Sequence, residues 1–292
     1  MKATSGFYHV WTVEGNFFCR ARGRFKKEGI NLLVGDLVKI RPLQGNEGVI
    51  EDILPRTNYI NRPPVANVSQ LVAVLSASRP QLDYHLLDRL LVCAEKNDLR
   101  SLICINKIDL VEQNVIQREL EPYRKALYPV IFTSATREKG LDRLRSALKN
   151  NISVFAGPSG AGKSTLLNKL SPGANLRTGD VSRKGRRGRH TTRHVELLSL
   201  GDGSFVVDTP GFTRLNLEEI TVEELGDLFP EILRRRGRCR FRNCLHEQES
   251  GCSIKKAVED EEFSPARYKR YLLFLEEIRK IRKKRELTGK GD

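Results

Sequence analysis

Nine consecutive residues in the middle of the chain constrain the fold most: Gly157-Pro158-Ser159-Gly160-Ala161-Gly162-Lys163-Ser164-Thr165. They fit G-x-x-x-x-G-K-[ST], a loop whose glycines let successive backbone N–H groups turn toward phosphate oxygens. Such a loop works only between a strand and the N-terminus of a helix, whose dipole adds to the attraction. The flanks agree, since 151–156 reads as an apolar strand and 166–170 as a helix. In this setting Lys163 would reach the β- and γ-phosphates and the Ser164 hydroxyl would hold Mg²⁺.

Two further motifs sit at the ends of expected strands. Asp208-Thr209-Pro210-Gly211 follows the apolar run 204–207, and Asn106-Lys107-Ile108-Asp109 follows the run 102–105. In D-x-x-G the Asp208 carboxylate can hold Mg²⁺ through water, and the Gly211 N–H can face the γ-phosphate. In N-K-x-D the Asp109 carboxylate can accept from both the ring N–H and the exocyclic amine of guanine, a pattern that adenine does not offer. Ser134-Ala135, after the strand 129–133, resembles the short loop that backs the guanine carbonyl. Nucleotide-binding loops belong at the carboxyl ends of parallel strands, so the four motifs support one another.

Their order is unusual. Most GTPases run from the phosphate loop through the switches to N-K-x-D, whereas here the guanine-reading half comes first. The chain therefore reads as a circularly permuted GTPase, and over essentially its whole length it resembles the RsgA family of bacterial small-ribosomal-subunit biogenesis GTPases. The resemblance implies a multidomain α/β architecture in three parts. Residues 1–64 would be an RNA-binding OB-fold β-barrel, 65–222 the permuted GTPase domain with a mostly parallel sheet, and 223–292 a mainly helical zinc-binding domain.

The pattern of the chain bears on each part. Short alternating strands are expected at 7–12, 17–22, 37–41 and 48–54, which suits a small barrel. Arg20, Arg22, Arg24, Lys26 and Lys27 are candidates for its RNA surface, with a solvated basic loop at 24–28 as the plain alternative. Residues 58–64 read as a linker. A strand at 70–75, amphipathic helices at 83–97, 115–127 and 141–149, and the strands between them indicate a parallel sheet covered on both faces. Cys93 and Cys104 fall in the apolar positions of that pattern.

Between the phosphate loop and D-x-x-G lies the very basic stretch 183–193, where the first switch must be. By resemblance the Mg²⁺-completing residue is Thr192, with Thr191 the alternative. Phe212 stands where many GTPases place the glutamine that orients the attacking water, and an apolar side chain cannot do that. The resemblance points to His190 as the catalytic substitute, beside Thr192 and Lys163; His194 is the rival.

Beyond the second switch, Cys239-x4-Cys244-x-His246-x5-Cys252 has the spacing of a closed, structural Zn²⁺ site. Six arginines from Arg234 to Arg242 surround it, and a helix over 265–285 carries a basic end. On that helix Leu272, Leu273, Leu275, Ile278 and Ile281 are expected to face the domain. Lys and Arg total 51 against 36 Asp and Glu, a net charge of +15, which favours polyanionic partners. No apolar run approaches a membrane span, and the reading is a cytoplasmic monomer with no membrane partner. The expected ligands are GTP or GDP, Mg²⁺ and one structural Zn²⁺. The resemblance implies docking on the 30S subunit through 16S rRNA, contact with other assembly factors, and action late in subunit maturation. Docking would stimulate GTP hydrolysis, and hydrolysis would favour release.

Overall fold

The computed structural model describes residues 3–4, 7–61, 64–171, 196–208 and 217–287. At the N-terminal end, β1 (Ala3–Thr4), β2 (Phe7–Thr12), β3 (Gly15–Ala21), β4 (Val38–Pro42) and β5 (Glu47–Ile53) form a five-stranded, barrel-like sheet in the order β1-β2-β3-β5-β4. Its core is small: Val10, Cys19, Phe25 and Ile50 are buried together. The basic stretch after β3 is not a loop but a short helix, α1 (Gly23–Lys27), because Phe25 needs a turn of helix to reach that core. Glu51 meanwhile draws in Arg22, Arg24 and Arg41.

The expected linker is a strand pair, β6 (Tyr59–Asn61) and β7 (Pro64–Ala66). Polarity and prolines suggested a connector, but Val65 and Ala66 are fully buried and Val34 bridges to Val65. The buried Asp36 accepts from Arg56 Nε at 2.6 Å, and Asn67 Nδ2 donates to Gly35 O at 3.0 Å. The segment is therefore fastened to the barrel.

The central sheet has six strands: β8 (Gln70–Ser76), β9 (Arg100–Asn106), β10 (Val130–Phe132), β11 (Ile152–Ala156), β12 (Glu196–Gly201) and β13 (Ser204–Asp208). They lie in the order β10-β9-β8-β11-β13-β12, all parallel except the antiparallel edge strand β12. Alternation along each strand feeds two cores, as a two-residue period requires. Leu71, Ala73 and Leu75 of β8 face one side with Ile103, Ile105 and Val154. Val72 and Val74 face the other with Leu102, Cys104 and Phe155. The first core is covered by α2 (Tyr84–Lys96), α3 (Gln113–Glu119) and α4 (Glu121–Lys125), the second by α5 (Leu141–Leu148) and α6 (Lys163–Leu170). Asp83 caps α2, accepting from Leu86 N at 2.9 Å. The single helix expected at 115–127 is two, α3 and α4, with Pro122 in the first turn of the second, where proline is favoured.

The C-terminal part has its own core of Leu225, Phe229, Ile232, Ile254, Phe263, Tyr271, Phe274, Leu275 and Ile278, joined by Val92 from α2. Its helices are α7 (Pro230–Leu233), α8 (Ser253–Glu259) and α9 (Pro265–Leu287). Leu273 is an exception to expectation: it points outward, 44% exposed, and Arg267 takes a buried place instead. Among the described residues no helix is long and apolar enough to cross a membrane.

Candidate nucleotide site and cysteine–histidine cluster

Parallel pairing from β10 to β13 puts the carboxyl ends of five strands on one edge of the sheet. The phosphate loop follows β11, N-K-x-D follows β9, and Ser134-Ala135 follows β10. Asp208 ends β13, and the Arg79-Pro80 turn follows β8. The permuted chain order thus leaves the spatial order of a nucleotide-binding sheet intact.

Two glycines show how tightly the loop is built. Gly157 has φ +150°, and a Cβ there would lie 1.9 Å from the Val74 carbonyl oxygen of neighbouring β8. Gly162 has φ +94°, and its Cβ would lie 2.3 Å from Asn106 Nδ2. That space is used: Asn106 Nδ2 donates to Ala161 O at 3.0 Å, so the N-K-x-D asparagine is bonded to the phosphate loop. Its other end accepts from Ala135 N at 3.1 Å and from the Thr133 hydroxyl at 3.2 Å. Asn106, 1% exposed, therefore ties three loops together with no polar atom left over.

Lys107, in left-handed backbone geometry, donates from Nζ to Arg79 O and Gly160 O, both at 2.6 Å. Its stem crosses the loop and leaves Asp109 exposed beside Ser134 and Thr136. The Ser134 hydroxyl holds the Asp109 carboxyl below its ordinary value, so it stays ionised and able to accept. Lys163 Nζ donates to Gly157 O and Pro158 O, both at 2.8 Å, which curls the side chain over the loop. Ser164 and Thr165 lie half-buried in the first turn of α6, while Ser159 and Gly160 are exposed at the tip of the loop. Thr133, Arg79 and Pro80 escape a motif reading. Only the proline turn signal hints at two of them, Arg79 and Pro80.

These features suit a purine nucleotide whose phosphates lie along the α6 N-terminus. The sequence profile of the RsgA GTPase family matches residues 53–218, and that of the RsgA N-terminal domain matches residues 1–50. The chain belongs to the RsgA GTPase family. A protein of Carboxydothermus hydrogenoformans named small ribosomal subunit biogenesis GTPase RsgA is 49% identical over 279 residues, 95% of this chain and 96% of its own. Its namesake in Moorella thermoacetica is 47% identical over 95% of this chain and 96% of its own. Among solved structures, YloQ, described as a circularly permuted GTPase, is 40% identical with a TM-score of 0.82, covering 96% of this chain and 93% of that one. YjeQ from Thermotoga maritima is 37% identical with a TM-score of 0.81, covering 94% and 95%. As a member of the RsgA family the chain is a GTP-hydrolysing enzyme, working with guanine nucleotide and Mg²⁺.

Other expected site residues lie outside the described residues: His190, Thr191, Thr192, His194, Gly211 and Phe212, together with the Asp208 side chain.

The second site is compact. The ligand atoms of Cys239, Cys244, His246 and Cys252 all lie within 4.8 Å of one another. Cys239 Sγ is 3.6 Å from His246 Nδ1 and 4.0 Å from Cys252 Sγ, and His246 Nδ1 is 3.4 Å from Cys252 Sγ. Edges of a tetrahedral zinc–thiolate site come out at about 3.8 Å from a bond of ~2.3 Å, so the donor set fits that ion. Burial lowers the His246 pKa, which keeps the ring neutral and able to ligate. The other three cysteines are different. Cys19 is buried in the barrel, and burial pushes the thiols of Cys93 and Cys104 up to about 12, which makes them inert packing groups.

Proposed function

We propose that this GTPase acts in small ribosomal subunit biogenesis by docking on the 30S subunit through 16S rRNA late in its maturation. GTP hydrolysis is stimulated on docking and favours release. The observation that carries the nucleotide half is the bond from Asn106 to Ala161 O, which joins the guanine-reading loop directly to the phosphate loop.

In this reading Asn106, Lys107, Asp109, Ser134 and Ala135 hold guanine, and the loop from Gly157 to Thr165 cradles the phosphates. Lys163 neutralises charge on the β- and γ-phosphates, Ser164 and Thr192 hold Mg²⁺, Asp208 holds it through water, and the Gly211 N–H faces the γ-phosphate. His190 orients the attacking water, the work that Phe212 cannot do. Cys239, Cys244, His246 and Cys252 hold one Zn²⁺ that shapes the C-terminal fold and leaves no open coordination position for chemistry. The ribosomal partner is supported by the names of relatives 43–49% identical and by the +15 charge. The protein works as a cytoplasmic monomer with three functional parts, at 1–64, 65–222 and 223–292.

GTP turnover by the zinc-loaded protein, alone and with isolated small subunits at two salt concentrations, tests the reading. Strong stimulation that fades at high salt is expected, because RNA docking releases counterions. Equal turnover with and without subunits would refute control by docking. A His190→Ala protein that kept full stimulated turnover would remove that residue from the mechanism.

A further inference from the structure

The six arginines between 234 and 242 fall into two groups. Arg234 donates to the carbonyls of Lys125 and Ala126, Arg235 pairs with Glu262, and Arg236 pairs with Asp227. These three hold the C-terminal part together and against α4. Arg238, Arg240 and Arg242 form no ion pair among the described residues. Between the last two stands Phe241, 48% exposed, with the Arg240 guanidinium carbon 5.6 Å from its ring centroid.

The loop that carries them is fixed at both ends. Cys239 and Cys244 belong to the four-residue cluster on either side of it. Arg240 N donates to Gly251 O at 3.1 Å, and a Cβ on Gly251 would lie 3.1 Å from Arg240 Cβ, so the two chain segments lie close. Just past Cys244, the Leu245 carbonyl accepts from the Tyr271 hydroxyl at 2.9 Å. Beyond its contact with the Arg240 guanidinium, the half-exposed Phe241 ring, on a loop held at both ends, has no ring partner among the described residues. It suits one kind of ligand: a flat π-face flanked by negative charge. In RNA that is an unstacked base between two phosphates. Paired A-form RNA keeps its bases stacked inside and offers phosphates only, and an acidic peptide offers charge without a face for the ring.

We propose that the loop spanning Cys239 to Cys244 binds RNA at an unstacked base, with Phe241 stacking on it and Arg240 and Arg242 holding the flanking phosphates. The proposal rests on the reading of an RNA partner and names the element recognised: an unpaired nucleotide. Cys239 and Cys244, in holding Zn²⁺, would fix both ends of the loop before RNA arrives, which would lower the entropy lost on binding.

The test uses the full-length, zinc-loaded protein and two fluorescently labelled RNAs of equal length, one single-stranded and one fully paired, read by anisotropy. Phe241→Ala should weaken single-strand binding roughly ten-fold and leave duplex binding unchanged. Phe241→Trp should restore it. Arg242→Gln should lower the salt slope for the single strand by about one phosphate contact. Zinc content and intrinsic GTP turnover should match wild type in every variant, since Phe241 is half-exposed and outside the nucleotide site. Undiminished single-strand binding by Phe241→Ala, or equal losses on both RNAs, would overturn the proposal. So would a Phe241→Ala protein that lost co-sedimentation with small subunits while binding both RNAs normally, because the loop would then be meeting a ribosomal protein. If the wild-type chain fails to sediment with small subunits, the ribosomal reading falls, and the RNA comparison still decides the loop.

Discussion

Gly162 is the residue at which the two halves of the proposed nucleotide site meet. Its left-handed backbone and the 2.3 Å approach of Asn106 Nδ2 to a would-be Cβ leave no room for any side chain. Gly162→Ala would strain the backbone by about 1–3 kcal/mol and push the Asn106 amide off Ala161 O. We expect GDP affinity to fall at least ten-fold while the thermal unfolding of the zinc-loaded protein stays cooperative. Titration with a fluorescent guanine nucleotide would measure it, and wild-type affinity would show that the two loops do not need this contact. The glycine pattern and N-K-x-D were legible in the sequence because each is a local run of residues. The engagement of Lys107 with Arg79 O was not, since its partner lies 28 positions away in a turn that carries no motif.

Helix α9 shows what pattern reading gets right and where it stops. The expected helix was there, but its buried stripe runs Arg267, Tyr271, Phe274, Leu275 and Ile278, at spacings of three and four. A count of leucines and isoleucines put Leu273 inward and passed over Arg267, because an arginine is buried only when its partners are present. They lie far off in sequence: Asp88 Oδ1 on α2 is 3.2 Å from Arg267 Nη1, and Glu231 Oε1 on α7 is 2.9 Å from Arg267 Nε. Arg270 also pairs with Asp88, and the Arg267 guanidinium carbon sits 4.5 Å from the Tyr123 ring centroid. The network therefore clamps the C-terminal part to the face of the sheet that α2 covers. Asp88→Ala would leave two arginines short of a carboxylate, one of them 1% exposed. Removing one partner of a buried pair costs about 3–5 kcal/mol. The urea midpoint should drop accordingly, with Asp88→Asn losing less. An unchanged midpoint would mean that packing alone holds α9 on α2.

Across the whole molecule α9 reaches the central sheet through α2, and the barrel meets it at an aromatic pair on β13. Trp11 on β2, the only tryptophan in the chain, meets Phe205 on β13 edge to face, with centroids 5.5 Å apart. The alternation of β2 was legible from sequence, but this contact was not, because it joins strands of two different sheets. Phe205 lies three positions before Asp208, and β13 pairs with β11, which leads into the phosphate loop. If the D-x-x-G segment shifts when it reads a γ-phosphate, the strand feeding it carries the shift to Trp11. Because Trp11 is 46% exposed, small changes in that contact alter its access to water and its emission. Tryptophan emission should therefore differ between the GDP complex and the complex with a non-hydrolysable GTP analogue. Phe205→Ala should move the emission to longer wavelength and abolish the difference without preventing nucleotide binding. Superimposable spectra for the two nucleotides, with binding verified independently, would show that the barrel does not sense the nucleotide through β13. A difference that survives Phe205→Ala would place the coupling elsewhere than in this aromatic pair.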